Sequence, residues 1–364
     1  MTTLFLTGDV MTGRGIDQIM RHPSEPVLHE SYVRDARAYV ALAEEKNGKI
    51  EAPVGDGYVW GAALAELDRV APDARIINLE TSVTTSADAW PGKGIHYRMH
   101  PGNVGCLTAA RIDCCVLANN HVLDWGYAGL TETLATLHAA SLRTAGAGRH
   151  AQEAAMPAVI DNGERGRVLV FGVGSETSGI PLSWQARDGQ PGVSTVPVLD
   201  ADSARRLAAA VATYRRPGDV VVVSVHWGGN WGYEIPGEQR DFARALIESG
   251  CVDVVHGHSS HHPKGIEVYR ERLILYGCGD FLNDYEGIEG HVRYRSDLTL
   301  MYFATVDPVG RLLTLRMVPL RIRKFSLERA ARADATWLKA TLDRESLLDR
   351  NLDLDLNNAL RLTV

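Results

Sequence analysis

The chain has 364 residues, 45% of them hydrophobic, and carries a formal charge of -7. That length bounds it to one large or two ordinary domains, and its apolar content excludes a disordered chain. The acidic balance argues against a nucleic-acid partner.

In chain order, the segment from Met1 to Gly15 lacks a basic stretch followed by an apolar run. Nothing later approaches the ~20 apolar residues of a membrane span. The expectation is a cytoplasmic protein with no membrane span. Seven apolar runs are predicted to hold strands, at residues 3–9, 74–80, 111–121, 167–175, 219–228, 251–258 and 273–281. They are near-continuous in Val, Ile and Leu, the mark of strands buried on both faces. Helical patterns fall between them, at 129–140, 200–216 and 238–250. The alternation predicts a layered α/β sheet.

Residues 22–60 are long and polar and read as an insertion. From 296 to 364 the pattern changes to a C-terminal β addition and tail. A β-hairpin turns at Asp307 to Gly310, and a short helical tail runs from Ser326 to Arg344. The whole, 1–364, is read as a single domain. Five cysteines include no CxxC pair and read as buried thiols.

The chemistry lies at the strand ends. Five runs finish in polar residues: Asp9; Asn78 and Glu80; Asn120 and His121, with Asp124 nearby; His226; and His256, His258, His261 and His262. In a parallel sheet such ends share one edge, where α/β folds bind ligands. Oxygen and imidazole donors suit one or two divalent metal ions, Mn, Fe or Zn. The inventory of Asp9, Glu80, Asn120, His226, His258 and His261, with His121, is the size two ions need. Singly, each residue has an ordinary use: Asp9 could cap a helix, and Asn120 could order its own loop.

The ordered motifs "TGDVMTGR", "INLET", "LANNHVLDWG", "VHWG", "HGHSSHHPKG" and "LILYGCGDFL" span about three quarters of the chain. They resemble the CapA family, named for poly-γ-glutamate capsule biosynthesis, which is similar to calcineurin-like metallophosphoesterases. The resemblance implies a four-layer α/β/β/α sandwich with a dinuclear metal site. It implies Asp9 as first ligand, Glu80 near the bridging position, and Asn120 with His121 as the "GNH" pair. It places His226 as the lone histidine ligand, and His258 and His261 where "GHxH" lies. Departures are visible. Met11 stands where the pattern has histidine, and the spacing after Gly257 differs. Which of His256, His258 or His262 joins His261 is therefore open. Asp280 stands where many relatives have asparagine, as an extra acid near the site.

The functional expectation is a metal-dependent hydrolase using metal-activated water on a small anionic or poly-γ-glutamyl substrate, a phosphoester or a γ-glutamyl-type amide. His121 would be the general acid, and Asp124 would orient it or cap the next helix. Arg14, Arg98, Asn78 and Trp227 are candidates for substrate contact, and Trp231 for a pocket wall. His256, His262 and Asp280 would stand behind the ligands. The alternative is a non-catalytic component of a poly-γ-glutamate synthesis or export complex. No P-loop is present, which weighs against ATP-driven ligation.

Overall fold

The computed structural model describes residues 1–288 and 290–364. The predicted strands form two sheets. The larger has ten strands, and its central part runs Leu312–Arg323, Leu298–Val306, Thr2–Val10, Ala74–Leu79, Cys114–Val116 and Arg143–Ala145. The last four of these are parallel to one another, and Leu298–Val306 is antiparallel to Thr2–Val10. The second sheet has seven strands. Arg167–Ser175, Val220–His226, Val254–His258 and Arg272–Leu275 lie parallel in its middle.

Side chains alternate across a strand, and here both faces are covered. Leu4, Leu6, Ile76 and Val116 of one sheet pack against Val170, Val222, Val254 and Leu275 of the other. The intervening residues point outward. Phe5, Ile77 and Cys115 meet Leu130, Leu134 and Leu137 of the helix Gly126–Ala139. Val221, Val223 and Val255 meet Phe242 and Leu246 of Gly237–Glu248 and Val211 of Ala201–Ala212. The result is the helix, sheet, sheet, helix sandwich, and it explains why the runs lack polar alternation. Four of the cysteines are buried in these layers as free thiols.

Two stretches differ from the reading of the sequence. Residues 22–60 contain the helix Arg37–Asn47, and Tyr39, Ala43, Ile50, Val54 and Trp60 are buried. The polar residues between them hid that core contribution. The tail helix covers Arg332–Glu345, whereas Ser326–Arg329 is a strand paired with Leu312–Arg323. The two-residue turn between those strands puts Lys324 and Phe325 at φ 55° and 56° without a glycine. Such turns usually announce themselves with Asn-Gly or Asp-Gly. Here the turn is held instead by the Glu286 carboxylate, which accepts from the Lys324 and Phe325 amides at 2.8 and 2.7 Å, and by the fully buried Phe325 ring.

Candidate metal centre

The first strand reaches the site through Gly8. A Cβ there would lie 1.9 Å from the Gly279 carbonyl oxygen, so only glycine lets the two segments close. The Asp9 amide donates to that same oxygen at 3.0 Å, and Asp9 and Asp280 become register partners. In the other sheet His226 and His258 are register partners on adjacent parallel strands. Ser259, directly after, has φ 108°, a strained turn that redirects the chain towards His261.

Two groups of donors result, each within 4.8 Å internally: Asp9, His226 and His258; and Asp9, His261 and Asp280. Asp9 is common to both. His226 Nδ1 and His258 Nδ1 are 2.8 Å apart, and His226 Nε2 is 3.0 Å from Asn120 Oδ1. His261 Nδ1 is 2.8 Å from Asp280 Oδ1. Glu80 belongs to neither group; its Oε1 lies 3.9 Å from His226 Nε2 and 3.8 Å from His121 Nε2. Asp280, expected behind the ligands, thus stands among the donors, and Asp9 rather than Glu80 occupies the shared position.

A relay sets the imidazole tautomers. His256 Nε2 donates to the Thr7 carbonyl at 2.9 Å, so its Nδ1 accepts from Ser224 Oγ at 3.0 Å. Ser224 Oγ then accepts from His258 Nε2 at 2.8 Å, which leaves the lone pair of His258 on Nδ1. With its Nε2 proton on Asn120 Oδ1, His226 also presents a lone pair at Nδ1. Two lone pairs facing at this distance repel unless a cation lies near both. The carboxylates make the same demand. Burial, with Asp280 adding to it, pushes Asp9 up to about 7. Burial and Asp9 raise Glu80 well above the usual range. Burial holds His226 and His258 well below theirs. At His261 burial works downward, but Asp280 prevails and raises it. Buried acids and neutral imidazoles converging on one spot are a donor set that fits divalent ions.

Beside the centre, His121 Nδ1 lies 2.7 Å from Asp124 Oδ2 and 3.0 Å from Lys93 Nζ, and Lys93 also pairs with Asp124. Asp124 accepts from the Tyr97 amide at 2.6 Å and caps no helix, since the following helix has no side-chain cap. Burial pushes His121 down to about 4, against the pull of Asp124, so the ring is neutral near pH 7. With Nδ1–H held by Asp124, its free lone pair is at Nε2. The sequence reading missed Lys93, which lies 28 residues from His121 in a stretch without a motif.

The remaining candidates divide. Asn78 does not face open space; its amide donates to Asp9 Oδ1 at 2.8 Å and is itself braced by Asn119 at 3.1 Å. Arg14 lines a cavity beside the centre, but four of its five N–H groups are taken by Asp284, Glu30 and Tyr39. It ties the 22–60 segment to the loop after Asp280. Arg98 is turned away: it donates to the Ser86 and Glu25 carbonyls and stacks on Trp125. Trp227 is buried against Phe242 and Tyr276, a core residue rather than a wall. Trp231 is the wall. It stacks on His291 at 4.1 Å and is backed by His262, whose Nε2 accepts from the Gly232 amide. The cavity it borders is about 400 Å³ and is also lined by His261, Tyr97, Tyr285, Lys46 and Arg321. Lys46 and Tyr32 come from the 22–60 segment, which therefore forms part of its wall.

Among known proteins, the chain matches the family described as "Bacterial capsule synthesis protein PGA_cap" over residues 3–285. It is 49% identical over 348 residues to a "Probable polyglutamine synthesis accessory protein" of Mycobacterium tuberculosis, covering 95% of this chain and 91% of that one. It is 22% identical over 333 residues to "Capsule biosynthesis protein CapA" of Bacillus anthracis, covering 89% of this chain and 68% of the relative. Among solved structures, a 5'-nucleotidase precursor from Thermus thermophilus aligns with a TM-score of 0.46 at 17% identity, over 93% of this chain and 57% of that one. No helix among the described residues is long and apolar enough to cross a membrane. The chain belongs to the PGA_cap family of bacterial capsule synthesis proteins.

Proposed function

We propose that this protein is a metal-dependent hydrolase of an anionic substrate, a phosphoester or γ-glutamyl-type amide, in poly-γ-glutamate or capsule metabolism. The observation that carries the reading is the pair of buried donor groups sharing Asp9, one of which contributes His261 to the lining of a cavity. Asp9, His226 and His258 would hold one divalent ion, and Asp9, His261 and Asp280 a second. Bound there, such ions supply Lewis acidity and lower the pKa of water. The residues of the chain do the rest. His121 Nε2 takes a proton from the attacking water and returns it to the leaving group. Asp124 fixes the ring through Nδ1, and Lys93 keeps Asp124 charged and in place. Tyr97, Trp231 and Tyr285 wall the cavity, which is also lined by Lys46 and by Arg321, the latter paired with Asp297 at 3.2 Å.

A second reading, a non-catalytic part of a synthesis or export complex, is favoured by the word "accessory" in the name of the M. tuberculosis relative. Elemental analysis of purified protein, with turnover measured on phosphoesters and γ-glutamyl peptides for wild type and His226→Ala, separates the two. The hydrolase reading expects bound divalent metal and turnover abolished in the variant. Metal-free, inert protein that binds a synthase component would establish the other.

A further inference from the structure

A second cavity, also of about 400 Å³, lies at the C-terminal edge of the ten-stranded sheet. Four arginines line it, each from a different segment: Arg69, Arg316, Arg329 and Arg361. The acids facing them are Glu66 and Asp355. Glu66, 2% exposed by side chain, pairs with Arg69 at 2.7 Å, with Arg316 at 3.1 Å and with Arg329. Asp355 pairs with Arg361 at 3.0 Å. Four guanidiniums thus share two carboxylates. Arg316 Nε is buried with no hydrogen-bond partner, an N–H that the protein itself does not satisfy. Burial, with the repulsion of Arg69 adding to it, pulls Arg316 down to about 10.

This cavity is remote from the metal centre. Arg316 pairs with Phe303, and Phe303 with Phe5, four residues before Asp9. At ~3.3 Å per residue along the strand and ~4.8 Å between strands, that places it well over ~10 Å away.

We propose that this cavity is an anion site that takes a ligand with clustered negative charge, borne as phosphates or as neighbouring carboxylates. Guanidiniums bind both groups through paired N–H donors, and two uncompensated charges call for more than a monoanion. The site does not depend on the hydrolase reading.

Calorimetric titration of the intact, metal-loaded protein with inorganic triphosphate and, separately, with tri-γ-glutamate tests it. Saturable binding of at least one probe is expected, weakening with added salt. Binding that survives in Arg329→Gln/Arg361→Gln belongs elsewhere; the component assigned here should weaken at least about tenfold. Leu356 lines the cavity and is 98% exposed, so its replacement removes no core packing. Leu356→Asp should weaken the same component several-fold. Triphosphate binding alone identifies phosphate as the ligand group, and tri-γ-glutamate binding alone identifies carboxylates. Failure of both probes to bind wild type, or unchanged binding in Leu356→Asp together with a folded double variant, would overturn the proposal.

Discussion

The two sheets arrive at the same seam with opposite chemistry. Asp9, Glu80 and Asp280 belong to, or directly follow, strands of the ten-stranded sheet. His226 and His258 end strands of the seven-stranded sheet, with His261 three residues beyond. Burial drives Asp9 and Glu80 towards neutrality by raising their pKa, and His226 and His258 by lowering theirs. A cation between them gives the carboxylates their counter-charge and the imidazoles a use for their lone pairs. The centre therefore depends on the packing of Leu4, Leu6 and Ile76 against Val222 and Val254, which sets the two halves face to face.

The largest break in that pairing should come from Asp9→Asn, because one carboxylate serves both donor groups. Metal content by elemental analysis should fall to near zero, and turnover by ~10³-fold or more. His226→Ala should keep the Asp9, His261 and Asp280 group and lose one ion of two. Equal metal loss in both variants would show that the donors form a single site. Next in size is His121→Gln, which removes the proton carrier but no donor of either group. Its kcat should fall ~10²–10⁴-fold with metal content unchanged. A variant that loses its metal as well would place His121 among the ligands.

The two halves were not equally legible in the sequence. Asp9 and His226 were readable because polar ends of parallel strands share one edge and each sits on a long apolar run, whereas the sequence left open which of His256, His258 and His262 would join them. A layered α/β sheet was readable from runs buried on both faces, whereas the four-layer arrangement was legible only through the resemblance to the CapA family. Asp280 was harder: it lies past a glycine turn, and its role follows from its register with Asp9, a contact 271 residues away that no local pattern encodes. The Ser224 relay was invisible because a serine inside a valine run reads as a tolerated polar atom. Arg98 and Trp227 were misleading in the other direction. Both lie next to motif residues, yet one caps carbonyls and the other fills the core.

Ser224 carries the next prediction. It holds His258 in the tautomer that exposes Nδ1, without being a donor of either group itself. Ser224→Ala should leave the fold intact and weaken metal binding ~10–100-fold, the usual cost of losing an outer hydrogen-bond partner. A metal titration that matches wild type would mean that the tautomer is set some other way.

The smallest effect is a pH dependence of the chelated protein, and there the two halves pull in opposite directions. Asp9 and Glu80 have folded pKa values above their unfolded ones, so above the ordinary carboxylate range the folded state holds protons that the unfolded state has released. Their contribution to stability falls as pH rises, for Asp9 towards about 7, and Glu80 adds to the fall in the same direction. His226, His256 and His258 have folded values below the ordinary ~6.5, so in acid the unfolded state binds more protons, and their contribution falls as pH drops below ~6.5. Each unmatched proton is worth about 1.4 kcal/mol per pH unit. Metal-free protein should therefore melt highest near neutrality and lose a few degrees on either side. Asp9→Asn should remove the part of the alkaline loss that ends at about 7 and leave the Glu80 part, and saturating divalent ion should remove both in wild type. A loss on the alkaline side that persists in the metal-loaded protein would locate the buried charge outside this seam.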